Sequence, residues 1–143
     1  MFAATKVTLA CILAAAQLQH VPSVLVMALL KTEGGSVGGW TTNQDGSHDL
    51  GPMQVNDRTW VPRIAKMQFR GNKEAAAREL IYDGCYNVEV GTYIFSLYLG
   101  EAKGNYGEAV GYYNSHTPVF ANNYRRRFLR SLDNLIEDSQ KQD

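Results

Sequence analysis

The sequence predicts an α+β protein, predominantly α, with one small irregular β-hairpin. Two observations carry this. Apolar residues recur at three- and four-residue spacing along most of the chain, between residues that start and stop helices. The exception is residues 38–56, where Gly, Asn, Asp, Ser and Thr crowd around short strand-like pieces. With 143 residues the chain has room for one domain, 1–143, and for a core of its own.

In chain order, Val7, Ala10, Leu13 and Ala14 fall at helical spacing, and Cys11 and Leu18 continue the same broad apolar face. Lys6 and the run Ala14-Ala15-Ala16 make only a weak export-signal pattern, so the segment reads as a structural helix. A second helix starts near Pro22, whose fixed φ suits a first turn. It runs through Val24, Leu25, Ala28 and Leu29 to Glu33, where Gly34-Gly35 stops it. Strand-like pieces are expected around Trp40-Thr41-Thr42 and Met53-Gln54-Val55. Asn56 or Asp57 then caps a short helix that runs through Trp60 to Met67, whose regular part Pro62 confines.

Asn72 caps an alanine-rich helix from Lys73 to about Tyr82, ended by Asp83-Gly84. A longer core helix is expected from Asn87 to about Lys103. Its stripe is Val88, Gly91, Thr92, Phe95, Tyr98 and Leu99, with Gly91 implying close backbone approach. A short helix from Gly107 to Tyr113 precedes the break at Asn114 to Pro118, and a last helix runs from about Phe120 to Glu137.

Hydrophobic content is 45%, charged content 20%, and 14 basic residues balance 14 acidic ones. No global field points to nucleic acid, and no apolar run is long enough to span a bilayer. Arg125, Arg126, Arg127 and Arg130 lie beside an acidic end with Glu137, Asp138 and Asp143, a pattern that fits a solvated helix face. His20, His48 and His116 are scattered, so no metal and no cofactor is expected, and the protein is expected to be a monomer. Cys11 and Cys85, 74 positions apart, lack zinc-site spacing. They form either one disulfide, which places the protein in an oxidising compartment, or two buried apolar fillers.

The chemistry lies in three short pieces. Glu33 closes the apolar stretch Val26-Met27-Ala28-Leu29-Leu30 and precedes two glycines that leave room for a ligand; a carboxyl at the edge of a core is disposed to hold its proton. Asp49 lies in a wetter, turn-rich segment that favours its ionised form. Such a pair is what cleavage of a glycosidic bond requires. Gly51-Pro52-Met53-Gln54-Val55-Asn56 and Tyr112-Tyr113-Asn114-Ser115 add amides and flat aromatic faces with polar tips, the mixture of a sugar groove.

In this order the pieces resemble the soluble lytic transglycosylases of the lysozyme-like superfamily, over roughly Cys11 to Asn114. The family's Glu-Ser, Gly-Leu-Met-Gln and Ala-Tyr-Asn motifs stand here as Glu33-Gly34, Gly51-Pro52-Met53-Gln54 and Tyr112-Tyr113-Asn114. Gly34, Pro52 and Tyr112 are departures. Cys85-Tyr86-Asn87-Val88 resembles the version found beside secretion and conjugation machineries. Asn43 to Asn56 is similar to the hairpin of animal-type lysozymes, including an aspartate aligned with Asp49.

The resemblance implies a lysozyme-like fold with the hairpin beside a catalytic cleft. It implies cleavage of the MurNAc-GlcNAc β-1,4 bond of peptidoglycan to give 1,6-anhydro-muramyl ends, with Glu33 as acid and then base and Asp49 as a catalytic or catalysis-enhancing group. Gln54, Met53, Tyr113 and Asn114 are the expected glycan contacts, with His116 at the rim. The implied setting is periplasmic or exported, with a secretion, pilus or conjugation apparatus as partner. Three alternatives stand beside these readings. The chain is a hydrolytic muramidase such as a phage lytic enzyme; or it is a noncatalytic glycan-binding module; or Asp49 merely fixes a turn, a role Asp45 before Gly46 suits even better.

Overall fold

The structure, a computed structural model, describes residues 3–141. Asp143 of the acidic end lies outside the described residues. In chain order the elements are α1 (Leu9–Gln19), α2 (Ser23–Glu33), β1 (Trp40–Thr42), β2 (His48–Leu50), β3 (Val55–Asn56), α3 (Asp57–Gln68), α4 (Lys73–Tyr82), α5 (Gly84–Glu101), α6 (Tyr106–Asn114) and α7 (Pro118–Lys141). This is the helix-dominated α+β architecture the sequence predicts. The chain divides into two compact units, residues 3–13 with 33–91 and residues 14–32 with 92–141.

The first unit holds the sheet, α3, α4 and the start of α5. Leu50, Met53, Val55, Ile64, Ala65, Leu80 and Val88 are buried in it. The sheet is antiparallel in the order β1-β2-β3, with Thr41 opposite Asp49 and Asp49 opposite Asn56. It therefore has three strands where two were expected. Residues 43–47 make a tight turn of their own, in which the Asn43 amide donates to the Ser47 carbonyl at 2.8 Å and the Ser47 amide donates to Asp45 Oδ1 at 2.9 Å. That turn frees His48–Leu50 to pair on both edges. Met53, expected in a strand, lies in the following turn.

Asn56 caps α3 by accepting from the Thr59 amide, and the helix runs through Pro62 for 12 residues. Pro62 cannot donate the helical bond from its ring nitrogen, yet the helix continues past it, with Trp60, Val61, Ile64 and Ala65 burying the inner face. Asp83 accepts from the Tyr86 amide at 3.0 Å, so Asp83-Gly84 opens α5 as well as closing α4. A Cβ on Gly91 would lie 2.8 Å from Met53 Cβ, the close approach its sequence position implies. Cys11 and Cys85 form a disulfide with their Cα atoms 5.6 Å apart.

The second unit is helical, with Val26, Ala28, Leu29, Phe95, Val110, Tyr124 and Phe128 buried. Within it Thr32 Oγ1 donates to Ser131 Oγ at 2.9 Å, joining α2 to α7. The face of α1 differs from expectation: Ala15 and Ala16 are buried, whereas Leu13 and Leu18 are exposed. The helix is apolar nearly all round, so periodicity selects no face, and small alanines permit the closest approach. His20 then adopts a left-handed φ of 55°, and Val21 donates back to the Ala16 carbonyl to close the helix. Pro118 opens α7, two residues before the expected start.

The arginines of α7 do more than face solvent. Arg125 Nη1 donates to the Gly107 carbonyl at 3.2 Å, and the Arg127 guanidinium sits 5.2 Å from the centre of the Tyr124 ring. Among the described residues no single helix is long and apolar enough to cross a membrane.

The disulfide closes a separation of 74 residues, and on the chain-entropy model a loop of that length stabilises by about 4 kcal/mol. Denaturant unfolding with and without reductant should show that loss as a lower midpoint. An unchanged midpoint would leave Cys11 and Cys85 as packing residues only.

Candidate active site

The site in the first unit is built around the turn Gly51 to Gln54. Glu33 is the last residue of α2, and Gly34 follows with a left-handed φ of 64°, which ends the helix at the acid. Gly35 then lies against the turn so closely that a Cβ there would be 2.8 Å from Gln54 Nε2. Two motifs distant in sequence are thereby adjacent. Gln54 itself has a φ of 55°, a conformation that costs a non-glycine residue roughly 1 kcal/mol or more. Its side chain holds it there: Nε2 donates to the Gly51 carbonyl at 3.0 Å and to the Asp49 carbonyl at 3.3 Å. The amide nitrogen is thus committed to the turn, and Oε1 is the end that can accept from a ligand.

The turn is clamped from beneath by Asn87, a fully buried side chain. Its Oδ1 accepts from the Met53 amide at 2.7 Å, while Nδ2 donates to the carbonyls of Leu50 at 2.8 Å and Leu80 at 2.9 Å. Gly51 passes so near that a Cβ would lie 2.6 Å from the Leu80 carbonyl oxygen. Sequence reasoning did not give Asn87 a role. Its signal was a polar residue set among the apolar positions that open the core helix. Met53, expected to touch glycan, is corrected to a core position: its side chain has 0% exposure and packs on Gly91. It anchors the turn from inside.

Asp49 sits in the middle of β2, not in a turn. Asn56 fixes its carboxylate. Because Asn56 Oδ1 accepts from the Thr59 amide at 3.1 Å, its Nδ2 is the end that faces Asp49 Oδ1, donating at 2.9 Å, and it also donates to Ser47 Oγ at 3.0 Å. Ser47 Oγ accepts from Asn43 Nδ2 at 3.1 Å and passes its own proton toward Asp45 Oδ1 at 2.6 Å. The turn role therefore belongs to Asp45, as the alternative reading of the aspartates had it. The Ser47 hydroxyl above all, with the Ser47 amide, holds the Asp45 carboxyl below its ordinary pKa.

Strand alternation puts His48 on the opposite face from Asp49. Asp57 Oδ1 accepts from the His48 amide at 2.9 Å, and Oδ2 pairs with His48 Nδ1 at 2.8 Å. Burial works to raise the Asp57 pKa, but the bonds and charge from His48 outweigh it and the net shift is downward.

The second unit carries Tyr113 and Asn114 at the C-terminal end of α6. Tyr113 is half-buried with its ring 6.5 Å from those of Tyr98 and Tyr124, and Asn114 is exposed. Tyr112, where the family motif has alanine, stacks on His116 at 4.3 Å between ring centres. His116 Nε2 in turn pairs with Glu101 Oε1 at 2.8 Å. Among the described residues no three His, Cys, Asp or Glu side chains are grouped to hold a metal ion.

Asn87→Leu should strand the Met53 amide and two carbonyls at roughly 1–3 kcal/mol for each buried group left unpaired. A large fall in the unfolding midpoint is expected, and a loss under about 1 kcal/mol would overturn the clamp. Asp57 gives a pH signature. Its folded pKa lies below the ordinary carboxyl value of the unfolded chain, so its stabilisation is present above that ordinary value and disappears as pH falls through the lower folded one. The stability gap between wild type and Asp57→Asn should be steady near neutrality and shrink in acid. A gap that does not change with pH would remove the ion pair as its cause.

Residues 10–130 match the family model described as Transglycosylase SLT domain. The chain is 32% identical over 126 residues to invasion protein IagB of Salmonella typhimurium, covering 85% of this chain and 72% of that one. Its similarity to invasion protein IagB of Salmonella typhi has the same identity and coverage. With the helix-end glutamate, the clamped Gly51 to Gln54 turn and the Tyr113-Asn114 pair in family order, the chain belongs to the SLT transglycosylase domain family.

Proposed function

We propose that the protein is a peptidoglycan lytic transglycosylase that cleaves the MurNAc-GlcNAc β-1,4 bond, its residues 1–143 acting as one monomeric domain. The observation that carries this reading is the packing of Gly35, two residues beyond Glu33, against the Gly51 to Gln54 turn, which is itself hydrogen-bonded to the strand bearing Asp49.

Glu33 gives its proton to the glycosidic oxygen as the bond from C1 of the muramyl residue breaks. Positive charge spreads over C1 and the ring oxygen in the oxocarbenium-like transition state, where the Asp49 carboxylate stabilises it. The muramyl C6 hydroxyl then attacks C1, and its proton passes to the Glu33 carboxylate, which restores the acid. Atoms and charge balance without water. Gln54 Oε1, Tyr113 and Asn114 orient the glycan and its acetamido groups.

The IagB relatives are named invasion proteins, and this supports local opening of the wall for a secretion, pilus or conjugation apparatus as the biological role. A periplasmic or exported setting follows from that substrate, and the Cys11–Cys85 disulfide fits it.

One observation favours a second reading, hydrolysis by a muramidase. Asn56 holds Asp49 as a fixed acceptor, and a fixed carboxylate suits a nucleophile as well as a charge stabiliser. Mass spectrometry of products from purified peptidoglycan separates the two. Anhydro-muropeptides are expected; reducing ends in their place assign the hydrolase, and neither product from the oxidised protein assigns a glycan-binding module. Glu33→Gln should lower the rate at least about 100-fold, the lower range for loss of a general acid. Full activity in that variant would remove Glu33 from the mechanism. Asp49→Asn should cause a smaller loss with the same products, and a wild-type rate would leave Asp49 a structural residue.

A further inference from the structure

The sheet has two faces, and the mechanism uses one. Strand register places Trp40 opposite Leu50 and Thr42 opposite His48, so these four side chains share a face, while Thr41, Asp49 and Asn56 share the other. β1 is an edge strand. On the face it shares with the buried Leu50 and Val55, at the edge of the sheet, Trp40 is 55% exposed, an unusual exposure for the largest apolar side chain. Thr42 beside it is exposed, and the His48 side chain is 40% exposed. Asp57 holds the His48 ring through Nδ1 at 2.8 Å, which orients the imidazole and leaves Nε2 for an outside partner. Leu50, buried, closes the inner end of this patch.

A flat indole, a hydroxyl and an oriented imidazole within one short pair of strands match the chemistry of an N-acetylated hexopyranose. Its C–H face packs on an aromatic ring, and its hydroxyl and acetamido groups exchange hydrogen bonds at the rim. A protein partner of ordinary size would need a wider apolar surface than one exposed indole with polar neighbours.

We propose that Trp40, Thr42 and His48 form a second glycan-binding surface, separate from the cleavage site, which holds an N-acetylhexosamine strand of the polymer while the Asp49 face acts on another stretch. The choice of ligand rests on the proposed function; the surface itself rests on register and exposure. Its role is retention on an insoluble polymer, which a short soluble substrate does not need.

The test uses Glu33→Gln protein, which binds without turning over. Its affinity for purified sacculi, measured by pelleting, should fall about tenfold when Trp40→Ala is added, with a smaller fall for His48→Ala and partial retention for Trp40→Phe. With Glu33 intact, Trp40→Ala should keep the wild-type rate on a soluble tetrasaccharide and lose rate on sacculi. Its thermal midpoint should match wild type, since the side chain is exposed. Unchanged pelleting overturns the proposal, and equal losses on both substrates overturn it by assigning Trp40 to the cleavage cleft. Absence of anhydro products from wild type would overturn the enzymatic reading instead and leave the pelleting comparison intact.

Discussion

Three hydrogen bonds from one buried side chain hold the site together. Asn87 has no contact with water, yet it satisfies a backbone amide and two backbone carbonyls from β2, the Gly51 turn and α4. A turn of this kind cannot sit on an apolar core without such a partner, because its unpaired groups would be costly to bury. Gly51 comes within Cβ distance of the same contacts, and Met53 fills the space left by Gly91. The clamp thus sets where Gln54 stands, and Gly35 sets how near the Glu33 segment can come to it.

Hydrogen-bond polarity does the same for the second carboxylate. An asparagine amide has one accepting end and one donating end, and the α3 cap claims the accepting end of Asn56. The donating end is left for Asp49, so capping a helix and orienting a carboxylate are a single event. Ser47 extends the arrangement to Asp45, whose charge the turn itself stabilises. The Asp49 carboxylate is therefore hydrogen-bonded in place, although each strand of the sheet is only two or three residues long.

The helices were legible in the sequence because each has a chemical start or stop. Asn56 and Asn72 accept from amides in the first turns of α3 and α4, and Gly34 ends α2, whereas the Asn105 cap that starts α6 was not read from the sequence. The three motif pieces were legible for a similar reason, since unusual residues in fixed order are informative alone. What was not legible depends on contacts between distant residues. β2 is three residues long and its pattern has no period of its own; only the Asp45-Ser47 turn makes it a strand. The buried face of α1 could not be chosen because the helix is apolar nearly all round. Met53 looked like a ligand contact by its neighbours Gly51 and Gln54, and only the space above Gly91 reveals it as core.

The three departures from the family motifs have different local consequences, and each is absorbed. Gly34 lacks the hydroxyl that a serine would offer, but its φ of 64° is one an L-residue adopts only with strain, and a Cβ there would meet nothing within 4 Å. The glycine therefore serves the backbone, ending α2 at the glutamate itself. Pro52 follows a left-handed Gly51 in a buried turn; the Met53 amide, the next donor along, is the one Asn87 captures, so the missing proline donor leaves the clamp complete. Tyr112 brings a large ring where alanine is usual, and stacking on His116 gives that ring a partner while Glu101 steadies the imidazole. Two departures lie in the backbone of the first unit and one in the side chains of the second. None displaces Glu33 from the end of α2, Gln54 from its turn or Asn114 from the end of α6, so each motif piece keeps its local form even where its letters change.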